Sequence, residues 1–201
     1  MVDARIGRLL IASLHQGILE AAPTRIEFYE HWLSPTGLRE GRMAVAALGA
    51  ALSFLRGEGS ATYQRVMTRA GIAAAEWTYL SVSPLRRGIA SRMPTAWRAR
   101  AAMRVARTLV YETFHDTQLK TGRWRRKGGV RLKDSVFCAT RGTSPDPLCT
   151  YYAAAVQRLF LLYRVDADVV VDSCKAAGGK DCVLTVRVNG TRAYDVEVEA
   201  A

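Results

Sequence analysis

The chain has 201 residues, 49% of them hydrophobic, and a formal net charge of +11. That length suits one domain with a real core, and the composition excludes a disordered chain. The longest apolar run, Met43 to Leu55, is well short of the roughly 20 residues a spanning helix needs, which argues against a transmembrane segment.

At the N-terminus Asp3, Arg5 and Arg8 are interspersed with apolar residues, unlike a secretory signal. The chain therefore reads as cytoplasmic, where disulfides are rare, and its four cysteines need another explanation. The positive charge is concentrated. Between Arg86 and Lys133 stand fourteen Lys or Arg against two acids, Glu112 and Asp116. A patch of that kind suits an anionic partner.

Ile6, Leu9, Leu10, Leu14 and Ile18 recur at helical spacing and predict a helix over 4–21, ended by Pro23. Residues 25–33, RIEFYEHWL, form either a strand or a helical turn between two prolines. Residues 42–56 read as a buried helix closed by Gly57 and Gly59. Ser60 is the expected N-cap of a helix over 61–80, whose small face (Ala70, Gly71, Ala73, Ala74) allows close packing. Pro84 and Pro94 break the next stretch, and 95–118 is helical again. Lys120 to Gly129 is a basic turn. From Val130, VRLKDSVFCATR alternates in part as a half-buried strand does, and 143–148 is a loop. Cys149 to Arg164 carries a helical apolar stripe. Residues 167–173 and 182–189 are Val-rich strands joined by KAAGGK, and Tyr194 to Val198 adds a further strand after an Asn189-Gly190 turn. The expected architecture is α+β within a single domain spanning 1–201. Helices over about 1–118 pack on an antiparallel sheet over about 130–199 that carries one more helix.

Cys174 and Cys182 bracket the segment KAAGGKD in a C-x7-C spacing. Across a hairpin, paired Cβ atoms lie about 4.5–5.5 Å apart. Two thiolates at that separation share one zinc ion at Zn–S bonds of about 2.3 Å. Gly178 and Gly179 supply positive φ for the return, Cys149 supplies a third thiolate, and Lys175 and Lys180 offset the charge. The plainer reading is that these cysteines are small buried hydrophobes.

The pattern Cys149-Thr-Tyr-Tyr-Ala-Ala-Ala, a helix, a Val-rich strand, then Cys174-Lys-Ala-Ala-Gly-Gly-Lys-Asp-Cys182 resembles the signature of the 4-vinyl reductase domain family. That family includes the sensory domains of aromatic-responsive bacterial regulators and is similar in fold to Bet3-type vesicle-tethering subunits. RIEFYEHWL at 25–33, ALGAALSFLRGEG at 47–59 and AGIAAAEWT at 70–78 extend the resemblance to the stand-alone members of bacteriochlorophyll biosynthesis. The resemblance implies a helix–sheet fold enclosing an apolar pocket, with Cys149, Cys174 and Cys182 as zinc ligands. One departure stands out. The aromatic-sensing relatives carry a Glu three residues before the first hairpin cysteine, where this chain has Val171. Asp172, Cys138 or water then completes the site, or nothing does, and Cys138 is equally a plain core cysteine.

The resemblance also implies a vinyl-bearing Mg-tetrapyrrole of the divinyl protochlorophyllide type as ligand, and reduction of its vinyl group. Sequence gives no support for NADPH: Gly57-x-Gly59 lacks a third glycine and follows a helix rather than a strand. A carrier or assembly factor handing the pigment to a separate pathway reductase is the alternative, and a small-ligand sensor or partner-binding module, acting through a partner or as a homodimer, is a third reading. His15, His31 and His115 are the candidate axial ligands to magnesium. His31 is preferred because Phe28, Tyr29 and Trp32 surround it as a candidate ring-binding wall, though such a cluster also suits plain core. Arg98, Arg100, Arg104, Arg107, Arg125 and Arg126 are expected as a basic surface. They form a solvated face or, with Trp97 and Trp124, a contact with an anionic membrane surface. No nucleic-acid-binding pattern accompanies them.

Overall fold

The computed structural model describes residues 6–30, 33, 45–121, 127–139 and 144–191. Among the described residues seven helices precede or flank a four-stranded sheet, the α+β class expected. They are α1 (Arg8–Ala21), α2 (Ile26–Glu30), α3 (Val45–Gly57), α4 (Ser60–Ser81), α5 (Pro84–Ser91), α6 (Thr95–Thr113) and α7 (Thr150–Leu162). The strands are β1 (Gln118–Thr121), β2 (Lys127–Lys133), β3 (Val165–Ser173) and β4 (Cys182–Thr191), in the order β1-β2-β4-β3 with every neighbour antiparallel.

Helix α4 is the hub, packed between α1 and α7. Its small residues make this possible. A Cβ on Gly71 would lie 2.3 Å from the carbonyl oxygen of Tyr151 on α7, and one on Gly17 of α1 would lie 2.6 Å from that of Val66 on α4. Neither site has room for even a methyl group, so the helix backbones approach at glycine. Leu10, Leu14, Val66, Met67, Tyr151, Tyr152, Leu159 and Phe160 are buried around these crossings. The inner face of the sheet completes the core, with Val130 opposite Leu184 and Val169 opposite Val186, all buried. The alanine face of α4 is thus consumed by helix packing and does not wall a pocket.

Several boundaries differ from expectation. Helix α1 starts at Arg8, because Ile6 bridges to Phe114 and Gly7 donates its N–H to the Thr113 carbonyl at 3.0 Å. Residues 25–30 are helical, a short 3-10 turn (Pro23–Arg25) leading into α2. The N-cap of α4 is Gly59, with φ of 105°, and the Ser60 hydroxyl instead donates to Asp146. Pro84 starts a helix rather than breaking one, since proline at N1 forfeits no intrahelical bond. The 95–118 helix ends at Thr113, where Phe114 becomes extended. Strand β2 stops at Lys133, turns at Asp134 with φ of 56°, and enters a 3-10 turn (Val136–Cys138). Gly190 does not turn the chain. It lies in β4 opposite Asp166, beside a register shift. The expected strand at 194–198 lies outside the described residues, as do 122–126 of the expected 120–129 turn; 120–121 and 127–129 are not turn but the ends of the paired strands β1 and β2.

Candidate metal centre

Four separate elements deliver the cysteines to one point. Cys138 ends the 3-10 turn after β2, Cys149 is the N-cap of α7, Cys174 follows β3, and Cys182 opens β4 opposite Leu132 of β2. Their sulfurs all lie within 4.8 Å of one another. Cys138 Sγ is 3.3 Å from Cys149, 3.4 Å from Cys174 and 3.4 Å from Cys182, and Cys149 to Cys174 is 3.9 Å. A tetrahedral zinc with Zn–S bonds of about 2.3 Å places its sulfurs roughly 3.8 Å apart. Four of the six sulfur pairs, at 3.3–3.9 Å, come within about 0.5 Å of that edge length.

Its surroundings suit anionic sulfur. The Leu148 N–H donates to Cys174 Sγ and the Lys175 N–H to Cys182 Sγ, each at 3.4 Å. Such peptide donors fix thiolate ligands and stabilise their charge. The Ser135 hydroxyl lies 3.5 Å from Cys149. Contact with Cys138 is the leading cause that holds Cys174 well below the usual thiol range and lowers Cys182, and contact with Cys138 pushes Cys149 above it. Four thiols this close cannot all ionise without a cation among them. The donor set therefore fits a thiophilic divalent ion, and Cys149, Cys174, Cys182 and Cys138 are the residues that would hold it.

Cys138, one of the four choices left open by the sequence, is the fourth sulfur. Asp172 is exposed on β3 and stands outside the cluster. The glycines of the connecting loop have two different tasks. Gly178 has φ of 84°, but Gly179 is needed for close approach, since a Cβ there would lie 2.3 Å from Ser173 Oγ. Three cysteines are buried, and Cys138 is only partly so. It borders a groove of about 560 Å³ that also exposes His115, Asp116, Asp134 and Lys175.

The expected aromatic wall is divided. Phe28 is 47% exposed and meets Phe54 of α3, 48% exposed, edge-on at 5.3 Å. These two, with Arg25, Ala50, Ser53, Gly57 and Glu58, line a groove of about 680 Å³. Tyr29 does not line it. That ring is fully buried, and its hydroxyl donates to Glu58 at 3.1 Å. His31 and Trp32 lie outside the described residues. His15 faces Glu30 at 3.3 Å, and His115 stacks edge-on with Tyr111. Sequence reading missed Phe54 and Arg25. An amphipathic break at Phe54, between buried Leu52 and Leu55, was the available signal.

The basic surface also changes. Arg98 is buried, with its guanidinium 3.3 Å from the Thr95 hydroxyl. Arg100, Arg104 and Arg107 are exposed on a common side of α6. Residues two apart on a helix face apart, so Arg98 was bound to leave that row. Arg125 and Arg126 lie outside the described residues. No helix among those described is long and apolar enough to cross a membrane.

No family model and no curated protein matches the sequence. Solved structures do. An H-NOX protein from S. oneidensis in the Fe(II)NO ligation state is similar at TM-score 0.54 and 12% identity, over 92% of this chain and 100% of that one. A mutant H-NOX protein from S. oneidensis in the Fe(II) state matches at TM-score 0.54 and 11% identity, over 95% and 100%. A trafficking protein particle complex subunit 3 from Naegleria fowleri, covalently bound to palmitic acid, matches at TM-score 0.49 and 11% identity, over 89% and 98%. What the chain shares with the H-NOX structures is a fold spanning their entire length.

Proposed function

We propose that this chain is a ligand-binding domain of the 4-vinyl reductase type, stapled by a structural zinc ion, that binds a vinyl-bearing Mg-tetrapyrrole in bacteriochlorophyll biosynthesis. The observation that carries this reading is the four-sulfur cluster. Three of its members, Cys149, Cys174 and Cys182, are the cysteines of the pattern on which the resemblance rests, and folding brings them together with a fourth. Four thiolates leave zinc no open position, and such closed sites stabilise folds.

The groove between α2 and α3 supports the ligand class. A flat macrocycle suits the Phe28–Phe54 pair, and its volume falls in the roughly 300–1,000 Å³ range of small-molecule sites. Arg25, 3.6 Å from Glu58 at the rim, is placed to take a ring carboxylate by exchange of ion-pair partners. Between the two versions of this function, carrier and reductase, the elbow after α3 favours the carrier. Gly57 ends a helix and Gly59 caps the next one, so neither forms a strand-to-helix phosphate loop.

The test is an absorption titration of purified protein with divinyl protochlorophyllide, with and without NADPH. Binding without turnover is expected for the carrier. Conversion to the monovinyl pigment would establish the reductase. Absence of binding would overturn the tetrapyrrole reading and leave the metal site standing.

A further inference from the structure

Helix α5 is held by very little of its own surface. Of its eight residues only Ala90 is buried, and α6 is the element it chiefly packs against. On its outer side Leu85 is 74% and Ile89 49% exposed, one turn apart and so on one face. Leu80 lies in the last turn of α4 just before it, and Met93 and Trp97 follow in the connection and the first turn of α6. All three are exposed, at 43%, 37% and 56%. Five of the ten exposed large apolar side chains among the described residues thus fall in this one elbow. Scattered exposed apolar residues are ordinary, but a concentration marks a contact surface.

The charge around this elbow identifies the contact. From Trp77 through Tyr111 the chain has seven arginines and no acid. Arg86 and Arg92 are exposed between the apolar residues, and Arg100 lies over the Trp97 ring at 5.5 Å. Apolar and indole side chains interleaved with arginine are what an interfacial helix presents to a lipid surface, the first entering the acyl boundary and the second meeting headgroup phosphates. A second copy of this chain suits the elbow poorly, because a two-fold interface sets Arg86 and Arg92 against the same residues.

We infer that the α5–α6 elbow docks on an anionic lipid bilayer, with Leu85, Ile89 and Trp97 inserted and Arg86, Arg92 and Arg100 at the headgroups. This is independent of the pigment and of the metal. It shifts the basic contact from the α6 row to the elbow, keeping Arg100 and replacing Arg104 and Arg107 by Arg86 and Arg92.

The experiment is co-sedimentation of the full chain with vesicles of phosphatidylglycerol mixed with phosphatidylcholine, against phosphatidylcholine alone. Binding is expected to the first and not to the second. Arg86→Gln with Arg92→Gln should reduce partitioning about 25-fold, at about 1 kcal/mol per cation near an anionic surface. Leu85→Ser with Ile89→Ser should reduce it by roughly tenfold or more. Both pairs are exposed, and circular dichroism should be unchanged. Arg104→Gln with Arg107→Gln, the same charge change outside the elbow, should cost less than about threefold. Trp97→Phe should abolish the fluorescence blue shift on binding. Absence of sedimentation, equal binding to neutral vesicles, an α6 pair as damaging as the α5 pair, or a solution dimer that Leu85→Ser dissociates would each overturn the inference.

Discussion

Replacing Cys182 by serine tests the candidate metal centre at a fully buried ligand. Cys182 is fully buried, touches Cys138 at 3.4 Å and accepts the Lys175 N–H. A serine hydroxyl does not ionise there, so zinc would keep three thiolates and one neutral oxygen. Structural zinc is worth about 10–16 kcal/mol over four ligands in small domains, which makes one thiolate worth about 3 kcal/mol, or a hundredfold in zinc affinity. With zinc in modest excess that loss passes directly into folding stability. At about 2–4 °C per kcal/mol for a domain of this size, the melting temperature should fall by roughly 6–12 °C. The assay is zinc content by mass spectrometry beside thermal melts with and without chelator. Cys138→Ser should cost about half as much, because Cys138 borders the groove and water can take its place. The reasoning is refuted if Cys182→Ser leaves zinc content and melting temperature both unchanged, or if chelator has no effect on the parent protein.

Three further outcomes follow from the packing, the groove and the buried rings. Gly71→Ala should destabilise by about 2–3 kcal/mol or more in urea unfolding, since the new Cβ meets Tyr151 backbone at 2.3 Å. The same change at Gly88, which has nothing within 4 Å, should stabilise α5 by about 0.5–1 kcal/mol. Phe54→Ala and Arg25→Gln should each weaken pigment binding about tenfold while leaving the melting temperature within about 3 °C; equal binding by all three proteins would place the ligand elsewhere. Burial pushes the Tyr151 hydroxyl up to about 12 and raises Tyr29, Tyr63, Tyr152 and Tyr163 as well. A raised phenol contributes stability that is complete below the unfolded value near 10 and is lost as pH climbs through the folded one. For Tyr151 that is about 2–3 kcal/mol across the window. Tyrosinate absorbance from the buried rings and loss of circular dichroism should therefore rise together above about pH 10; rings that ionise with the fold intact would contradict it.

What sequence could show here was set by range. The apolar stripe of α1, the small face of α4 and the Val-rich run of β3 are local patterns, and they reported their elements correctly. The C-x7-C spacing reported a hairpin for the same reason. Cys138 was different. Its place in the cluster depends on β2 pairing with β4, which sets Leu132 opposite Cys182 and swings the following 3-10 turn over the hairpin. No local pattern encodes that pairing, so Cys138 could only be held as one choice among several. The error at Arg98 was a matter of helix phase, and the error at Tyr29 was one of direction. An aromatic cluster on a short helix splits between core and solvent, and the split depends on which neighbours arrive. Glu58, from the next helical elbow, claims the Tyr29 hydroxyl, and Phe54 arrives against Phe28 outside.

The metal centre and the groove are joined through one stretch of backbone. The elbow between α3 and α4 supplies Gly57 and Glu58 to the groove floor. The same elbow grips the segments that carry Cys138 and Cys149. The Arg56 guanidinium donates to the Phe137 carbonyl at 2.9 Å, Tyr63 to the Leu148 carbonyl at 3.2 Å, and Gln64 to the Pro147 carbonyl at 3.0 Å. Each acceptor is a residue or two from a sulfur of the cluster. Zinc bound as proposed would fix those carbonyls, and the carbonyls fix the side chains on either side of Glu58. Its removal would free three acceptors together, so the elbow would lose anchors worth about 1 kcal/mol each. Linkage requires the effect to be mutual: if chelation weakens pigment binding by a given factor, pigment must tighten zinc by that factor. With part of the anchoring energy reaching the groove, the factor should be about five to twenty. Paired titrations of pigment with and without zinc, and of zinc with and without pigment, measure it from both sides. Pigment affinity that ignores zinc would show that the elbow holds its shape through α3 and α4 alone, and that the two sites share a fold without sharing energy.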